Sequence, residues 1–395
     1  MIDPLDRKYA NSSRILSDRG IMQAMDFGFI KTSPVFDPET DTKRIQPATL
    51  DVKIASVDEK EPLVYERAFR YGSIEGEKQT LKGRCVSTIN LTEVVDFGQV
   101  GFSSLHRPFL GISVEARSSV RRLGGYIPEQ GRYLFSVPEH YTQIEMGNFS
   151  RNDIHFKEGD RIAQVFFPVF PFKDYVYGVA EDTPEIKEIG EQIRSLDMGM
   201  DVSYTGQFEW LVKNGHLEVT PSLELKIGTL LVHASKTVYR MKMIDSGIDF
   251  DKRDDYKEED VLEPIDISKG YTVQTFEHII IETRESFNLS PHVGIRFWDQ
   301  PICSEFMNLP GYMTDFVDRM KNIHFSQLTD GWVDPNYQGG FSRQPKWLTG
   351  RTIYPGDVIG YGQVFFFPNG VGRAYGDSSL GSQYLSADET RFSKK

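Results

Sequence analysis

Apolar positions in this chain alternate with polar ones far more often than they recur at helical spacing. The run Phe109-Leu-Gly-Ile-Ser-Val has the period of a strand. Residues 156–168 (Phe-Lys-Glu-Gly-Asp-Arg-Ile-Ala-Gln-Val-Phe-Phe-Pro) place a Gly-Asp turn before a second apolar strand. That pattern returns at 353–368, which ends in Gln-Val-Phe-Phe-Phe-Pro. A second landmark also recurs. Residues 45–54 (Ile-Gln-Pro-Ala-Thr-Leu-Asp-Val-Lys-Ile) and 219–228 (Val-Thr-Pro-Ser-Leu-Glu-Leu-Lys-Ile-Gly) each set a polar-Pro step before an alternating run. Two landmarks in one order predict two copies of a β domain, although turn sequences also resemble one another by chance.

Helical spacing is confined to short stretches. Leu16–Met25 has Ser17 as an N-cap, and 207–215 stops at a glycine. Between them, 181–196 carries Ile186, Ile189, Ile193 and Leu196 on one stripe and reads as a connecting helix. The seam is therefore placed near 180–200, with domains at 1–195 and 196–395. The charge-rich stretch 249–260 reads as a solvated loop, because its acidic spacing matches no calcium loop.

Composition narrows the class. With 395 residues there is room for two full cores. An aromatic content of 12%, with frequent glycine, favours strands and turns. The net charge of −12 argues against a nucleic-acid or anionic-membrane surface. Only Cys85 and Cys303 occur, so neither a disulfide framework nor zinc-ligand spacing is present. No apolar run reaches membrane-spanning length, and the first residues lack the layout of a signal peptide, so a cytoplasmic location is expected.

Against that acidic background, residues 115–125 read Glu-Ala-Arg-Ser-Ser-Val-Arg-Arg-Leu-Gly-Gly. Guanidinium and hydroxyl donors packed at a strand end suit an anionic, oxygen-rich ligand such as phosphate. A solvated basic turn has the same composition.

Several of these pieces together resemble the deoxycytidine triphosphate deaminase branch of the trimeric dUTPase superfamily. The similarity runs through Leu16-Ser-Asp-Arg-Gly-Ile, Ile45-Gln-Pro-Ala-Thr-Leu-Asp and Arg117-Ser-Ser-Val-Arg-Arg-Leu-Gly. It continues at Ile144-Glu-Met-Gly-Asn and Gly159-Asp-Arg-Ile-Ala-Gln-Val-Phe-Phe. In the second half, Asp330-Gly-Trp-Val-Asp-Pro-Asn-Tyr-Gln-Gly is similar to the superfamily's nucleobase hairpin. The resemblance implies a mainly β protein of two tandem dUTPase-like distorted β-barrels with a few short helices. It implies an enzyme that hydrolytically deaminates dCTP to dUTP and ammonia.

That chemistry requires an activated water, a proton returned to the ring and a proton for the leaving ammonia. Zinc deaminases build it from a His or Cys, a Glu and a Cys-x-x-Cys, which two distant cysteines cannot supply. A zinc-free route needs a carboxylate that shuttles protons and donors that fix water and charge. Glu145, 23 positions after Arg122 and 14 before Gly159, fits the family's spacing for that carboxylate. The resemblance implies that Ser118 holds the water and Arg122 balances charge, as the other catalytic residues. Arg117 and Ser119 are then substrate-binding candidates, with Arg117 either meeting phosphate or ordering the motif. Asp334 and Tyr337 of the hairpin join them. Arg373, Ser379 and Gln383 lie in a Gly/Ser-rich tail that could order over a triphosphate or simply fray. Mg2+ is expected to be bound through the nucleotide triphosphate, with no protein metal ligands and no zinc.

The sequence also departs from the family. The first half, at 132–141, lacks the Asp-Pro step. In the second half, Gln344 stands ten residues after Asp334, where a glutamate is needed, and 293–299 (Val-Gly-Ile-Arg-Phe-Trp-Asp) replaces the arginine-serine motif. Neither half carries a full set. A duplicated chain could divide the labour, the first half keeping the catalytic groups and the second lending pocket or scaffold. Two other functions remain open: a dUTP pyrophosphatase or bifunctional enzyme, and a catalytically silent nucleotide-binding regulatory protein. The expected partners are dCTP and dUTP, with no nucleic acid or membrane, and a homo-oligomer with sites at domain or subunit interfaces.

Overall fold

The structure is a computed structural model describing residues 14–37, 41–58, 79–96, 109–127, 140–170, 184–226, 228–274, 277–298, 331–344, 350, 352–378 and 380. It is mainly β, built as tandem barrel-like sheets with a few short helices. In the first half the strands lie in the spatial order Ser113–Ala116, Arg161–Phe166, Thr49–Asp58, Val86–Asp96, His140–Asn148. In the second half the order is Val293–Trp298, Val358–Phe366, Thr229–Met241, Ile279–Leu289, Gln338–Arg343. Each sheet places its strands third, fifth, first, second and fourth in chain order, and every neighbouring pair along both paths is antiparallel. The duplication expected from sequence is thus present as topology.

The Gly-Asp turn explains why one landmark was so legible. Gly159 and Gly356 have φ of 86° and 87°, a conformation that favours glycine. The following aspartate accepts from the backbone N–H three residues back, Lys157 to Asp160 and Tyr354 to Asp357, both at 2.8 Å. Each turn then exchanges backbone hydrogen bonds with one residue of the neighbouring strand, Ile54 or Ala234.

The other landmark matches unlike elements. Ile45–Gln46 is a short strand folding onto Thr49–Asp58, and its counterpart is Leu225–Lys226 folding onto Thr229–Met241. Val219 and Thr220 instead belong to Leu217–Thr220, which pairs with Ile279–Leu289 as Lys31–Ser33 pairs with Val86–Asp96. Pro221 follows Leu217–Thr220 as Pro34 follows Lys31–Ser33, whereas the connection equivalent to Pro47 contains Ile227-Gly228, so matching Pro47 with Pro221 aligned unlike strands.

Helix α1 (Asp18–Asp26) is capped by Ser17, whose Oγ accepts from the Gly20 N–H at 3.1 Å. Helix α2 (Ser118–Arg122) holds the arginine-serine cluster. Helix α3 (Pro184–Ser195) occupies the seam and buries Ile193, and α4 (Thr205–Lys213) ends before Gly215 at φ 71°. The charged stretch at 249–260 is not a solvated loop. Ile248–Asp249 pairs in parallel with Ile154–Phe156 of the first half, and Phe250 and Val261 are buried in the first half's core. Apolar residues set among the charges dock this segment, and Arg253 lies 4.0 Å over the Phe250 ring.

Two large apolar clusters fill the halves, and a third lies at the seam: Ile15, Ala48, Phe166, Trp332, Phe365, Phe367 and Val371. Beside it a buried ion pair links the halves. Arg296 Nε donates to Glu115 Oε1 at 2.8 Å, and its Nη2 donates to Ser113 Oγ at 2.7 Å. Arg296 occupies the stretch that replaces the arginine-serine motif in the second half.

Candidate functional site

Helix α2 begins where the strand Ser113–Ala116 ends. The Arg117 N–H donates to Ile162 O at 3.0 Å, and Arg117 Nη1 stands 3.5 Å from Asp51 Oδ2. Arg161 Nη1 approaches the same oxygen at 3.2 Å. Asp51 is fully buried, so these two guanidinium groups compensate a carboxylate removed from water. Arg117 is thereby engaged in anchoring the helix to the sheet. Ser119 is buried, while Ser118 is exposed. At the other end, His278 Nε2 meets the Arg122 carbonyl at 3.2 Å. Burial pushes the His278 imidazole down to about 4, so at neutral pH it is uncharged and donates through Nε2.

Across from α2 stands the segment 331–344, which is not the hairpin expected from sequence: Gly331–Val333 pairs with Val293–Trp298, Gln338–Arg343 pairs with Ile279–Leu289, and a turn at 334–337 joins these two unlike neighbours. Together they enclose a recess of ≈ 100 Å³, reached by Ser118, Arg121 and Arg122 from the first half and by Asp334, Tyr337, Arg343 and Gln344 from the second. Trp332, Phe297, Phe341 and Tyr375 supply aromatic walls.

Its floor is cationic. A Cβ on Gly331 would stand 3.2 Å from Arg121 Nη1 and 3.4 Å from Arg343 Nη1. Two buried guanidinium groups, one from each half, therefore converge on Gly331. Such a pair favours a bound anion. Sequence reasoning assigned Arg121 no task and missed Arg343, which sits on a strand where an apolar residue is expected.

Asp334 supplies the opposite charge. Its Oδ1 accepts from Trp332 Nε1 at 2.7 Å. Loss of water, and next the nearby Asp51 carboxylate, push its acid up to about 7 despite the hydrogen bond and Arg117. It is the pocket's proton-exchanging group near neutrality. Tyr337 donates to Gly340 O, and its ring meets that of Tyr375 edge-on at 5.4 Å.

Glu145 is not among the residues lining this recess. It stands half-buried on the His140–Asn148 strand, between the buried Ile144 and Met146. Its neighbour is Tyr126, whose phenol is pushed well above its ordinary value by burial first and by the Glu145 carboxylate second. Sheet register identifies the residue that replaces it. Val57 and Ile144 flank Ile89 in the first half, as Val238 and Arg343 flank Ile281 in the second. Glu145 therefore corresponds to Gln344, and Gln344 lines the recess.

The tail runs along the seam. Gly372 and Arg373 donate through their backbone N–H groups to Asp18 at 2.8 and 2.9 Å, and Arg373 Nη2 donates to Ile45 O at 2.9 Å. These contacts occupy Arg373 as a clasp and carry Tyr375 to the recess. Ser379, Gln383, Cys303 and 132–139 lie outside the described residues. Cys85 is buried, and its thiol donates to Gly83 O at 3.6 Å. Among the described residues no helix is long and apolar enough to cross a membrane, and no group of three or more His, Cys, Asp or Glu side chains gathers.

Two β sheets of one topology, with a polar recess lined from both at their junction, define a tandem β-barrel protein. The fold is similar to the crystal structure of 2′-deoxycytidine 5′-triphosphate deaminase from Agrobacterium tumefaciens, with a TM-score of 0.61 and 14% sequence identity over 91% of this chain and 99% of that one. No protein-family model matches the sequence, and no curated protein matches it.

Proposed function

We propose that the recess between α2 and the 331–344 segment receives a pyrimidine deoxynucleoside triphosphate, and that the chain converts dCTP and water to dUTP and ammonia. The observation that carries this reading is the convergence of Ser118 and Arg122 from one half with Asp334 from the other. The likeness of fold to a deaminase supports it. The aromatic walls suit a pyrimidine ring, and Arg121 with Arg343 suits the negative charge of phosphate. Ser118 holds the attacking water. Asp334 takes one proton from the water and gives it to the ring nitrogen, then takes the second from the C4 hydroxyl as the carbonyl forms and delivers it to the departing amine, so both water protons are accounted for. Arg122 stabilises the charge that develops on the ring. This moves the shuttle from Glu145 to Asp334, because Asp334 is the carboxyl inside the recess. Magnesium, when present, is held by the phosphate oxygens and screens their charge; the buried Asp51 is already engaged by Arg117 and Arg161.

A second reading is dUTP hydrolysis to dUMP and pyrophosphate, favoured by Gln344. An amide can hydrogen-bond a base edge but cannot exchange a proton as Glu145 can. Ammonia and pyrophosphate measured separately, from dCTP and from dUTP, decide between them. Ammonia from dCTP without pyrophosphate is the expected result. Pyrophosphate from dUTP alone establishes the second reading, and release of neither product overturns both.

A further inference from the structure

A second cleft opens on the seam, bounded by the start of the first half, the end of α3 and the turn after Val358–Phe366. Its volume is ≈ 340 Å³, larger than the recess at α2. Arg14, Arg19 and Arg194 line it, joined by Gln23, Asn369 and Asp197. Arg14 and Arg19 stand on the strand Arg14–Leu16 and on α1 directly after it, and Arg194 joins them from α3, 175 positions later.

The residues lining the cleft include three arginines and one carboxylate. Asp197 is its carboxylate, and both oxygens are in use. Oδ2 accepts from Ser17 Oγ at 2.5 Å, and Oδ1 accepts from Asn369 Nδ2 at 2.8 Å. Arg14 Nη1 donates to the Met198 sulfur at 3.7 Å, a weak acceptor for a guanidinium. Arg19 Nη1 reaches the Asn369 carbonyl at 3.5 Å. Burial, and next the charge of Arg194, push the Arg14 guanidinium below its ordinary value. Two like charges near enough to oppose each other are relieved by an anion placed between them.

We propose that this seam cleft is a binding site for a phosphate-bearing anion, separate from the recess at α2 and held by Arg14, Arg19 and Arg194. Guanidinium forks match phosphate oxygens in pairs, and Gln23 and Asn369 offer further amide donors. Occupancy would tie the first strand, α3 and the chain after Val358–Phe366 together. That last segment continues through the Asp18 clasp to Tyr375 in the recess, so an anion at the seam is placed to influence the nucleotide site.

The test is calorimetric titration of the full chain with inorganic phosphate, tripolyphosphate and dUTP. Wild type is compared with Arg194→Gln, whose side chain is exposed, with Arg19→Gln, and with Arg122→Gln at the other site. Tripolyphosphate is expected to bind wild type and Arg122→Gln alike, and at least tenfold more weakly to Arg194→Gln and Arg19→Gln. Equal affinities for tripolyphosphate and dUTP at the seam identify an inorganic polyphosphate as sufficient, and tighter dUTP adds recognition of the nucleoside. Absence of binding in all arms, or binding that Arg194→Gln and Arg19→Gln leave unchanged, overturns the proposal. Loss confined to Arg122→Gln also overturns it while leaving the recess intact as a nucleotide site.

Discussion

Single residues set the chemistry of the recess, and Asp334 is the most exacting of them. Its acid is raised to about 7, so near neutral pH both protonation states are populated and the group can take and return a proton. Asp334→Asn should lower ammonia release from dCTP by about 100-fold or more, the usual range for losing an acid–base group, and abolish the pH limb near 7. Glu145→Gln, outside the recess, should cost less than tenfold and keep that limb. Pre-steady-state and pH-rate measurements on the two variants check both statements, and the reverse order would return the shuttle to Glu145. His278 makes a different prediction. Its folded value of about 4 lies below the ordinary value near 6.5, so the unfolded chain binds a proton that the folded one refuses. Stability is therefore fully present above about pH 6.5, falls as pH drops, and is lost by about pH 4, by roughly 3 kcal/mol in total. Denaturant midpoints recorded against pH should show that fall in wild type and a flatter profile in His278→Gln.

At the scale of elements, α2 works because both its ends are held by other parts of the chain. Arg117 is tied to Asp51 at its start, and the Arg122 carbonyl meets His278 at its end. Five residues make too short a helix to persist unaided. The strand that precedes it is locked to the second half by Arg296 and Glu115, which are 1% and 0% exposed. Removing one member of a buried pair leaves the other charged and uncompensated, at a cost of about 3–5 kcal/mol. Arg296→Met should lower chemical stability by that amount, and Arg296→Met with Glu115→Leu should recover most of it. A single variant that unfolds like wild type would show that the pair does not hold the seam. Much of this was legible beforehand in some elements and hidden in others. The Gly-Asp turns and the Ser17 cap were readable because a positive φ and a capping hydroxyl leave unambiguous residues. The role of Arg296 was hidden, because an arginine inside an apolar strand gives no sign of a partner 181 positions away. The proline steps misled because Pro47 and Pro221 follow strands that are not equivalent in the two halves.

The molecule as a whole is two copies of one sheet that have ceased to be equivalent. The first copy keeps Ser118, Arg122 and Glu145, while the second keeps the Asp-Pro step and carries Gln344 in place of glutamate. Sequence exposed this division as complementary gaps in the motifs. It did not show which surviving pieces meet, since that depends on the packing of Phe166, Trp332 and Phe365 at the seam. The packing brings α2 and the 331–344 segment of a single chain together and leaves Glu145 off the recess lining. A site completed within one chain has a consequence that a site assembled between chains does not share. Ser118→Ala and Asp334→Asn chains, each deficient alone, can be tagged differently, co-expressed and purified as mixed assemblies. The decisive measurement is the dCTP deamination rate of that mixture. If each recess takes both residues from one chain, every recess carries one defect, and the mixture stays as slow as the singly substituted proteins. Recovery of a substantial fraction of the wild-type rate would contradict this, because it requires Ser118 of one chain to work with Asp334 of another.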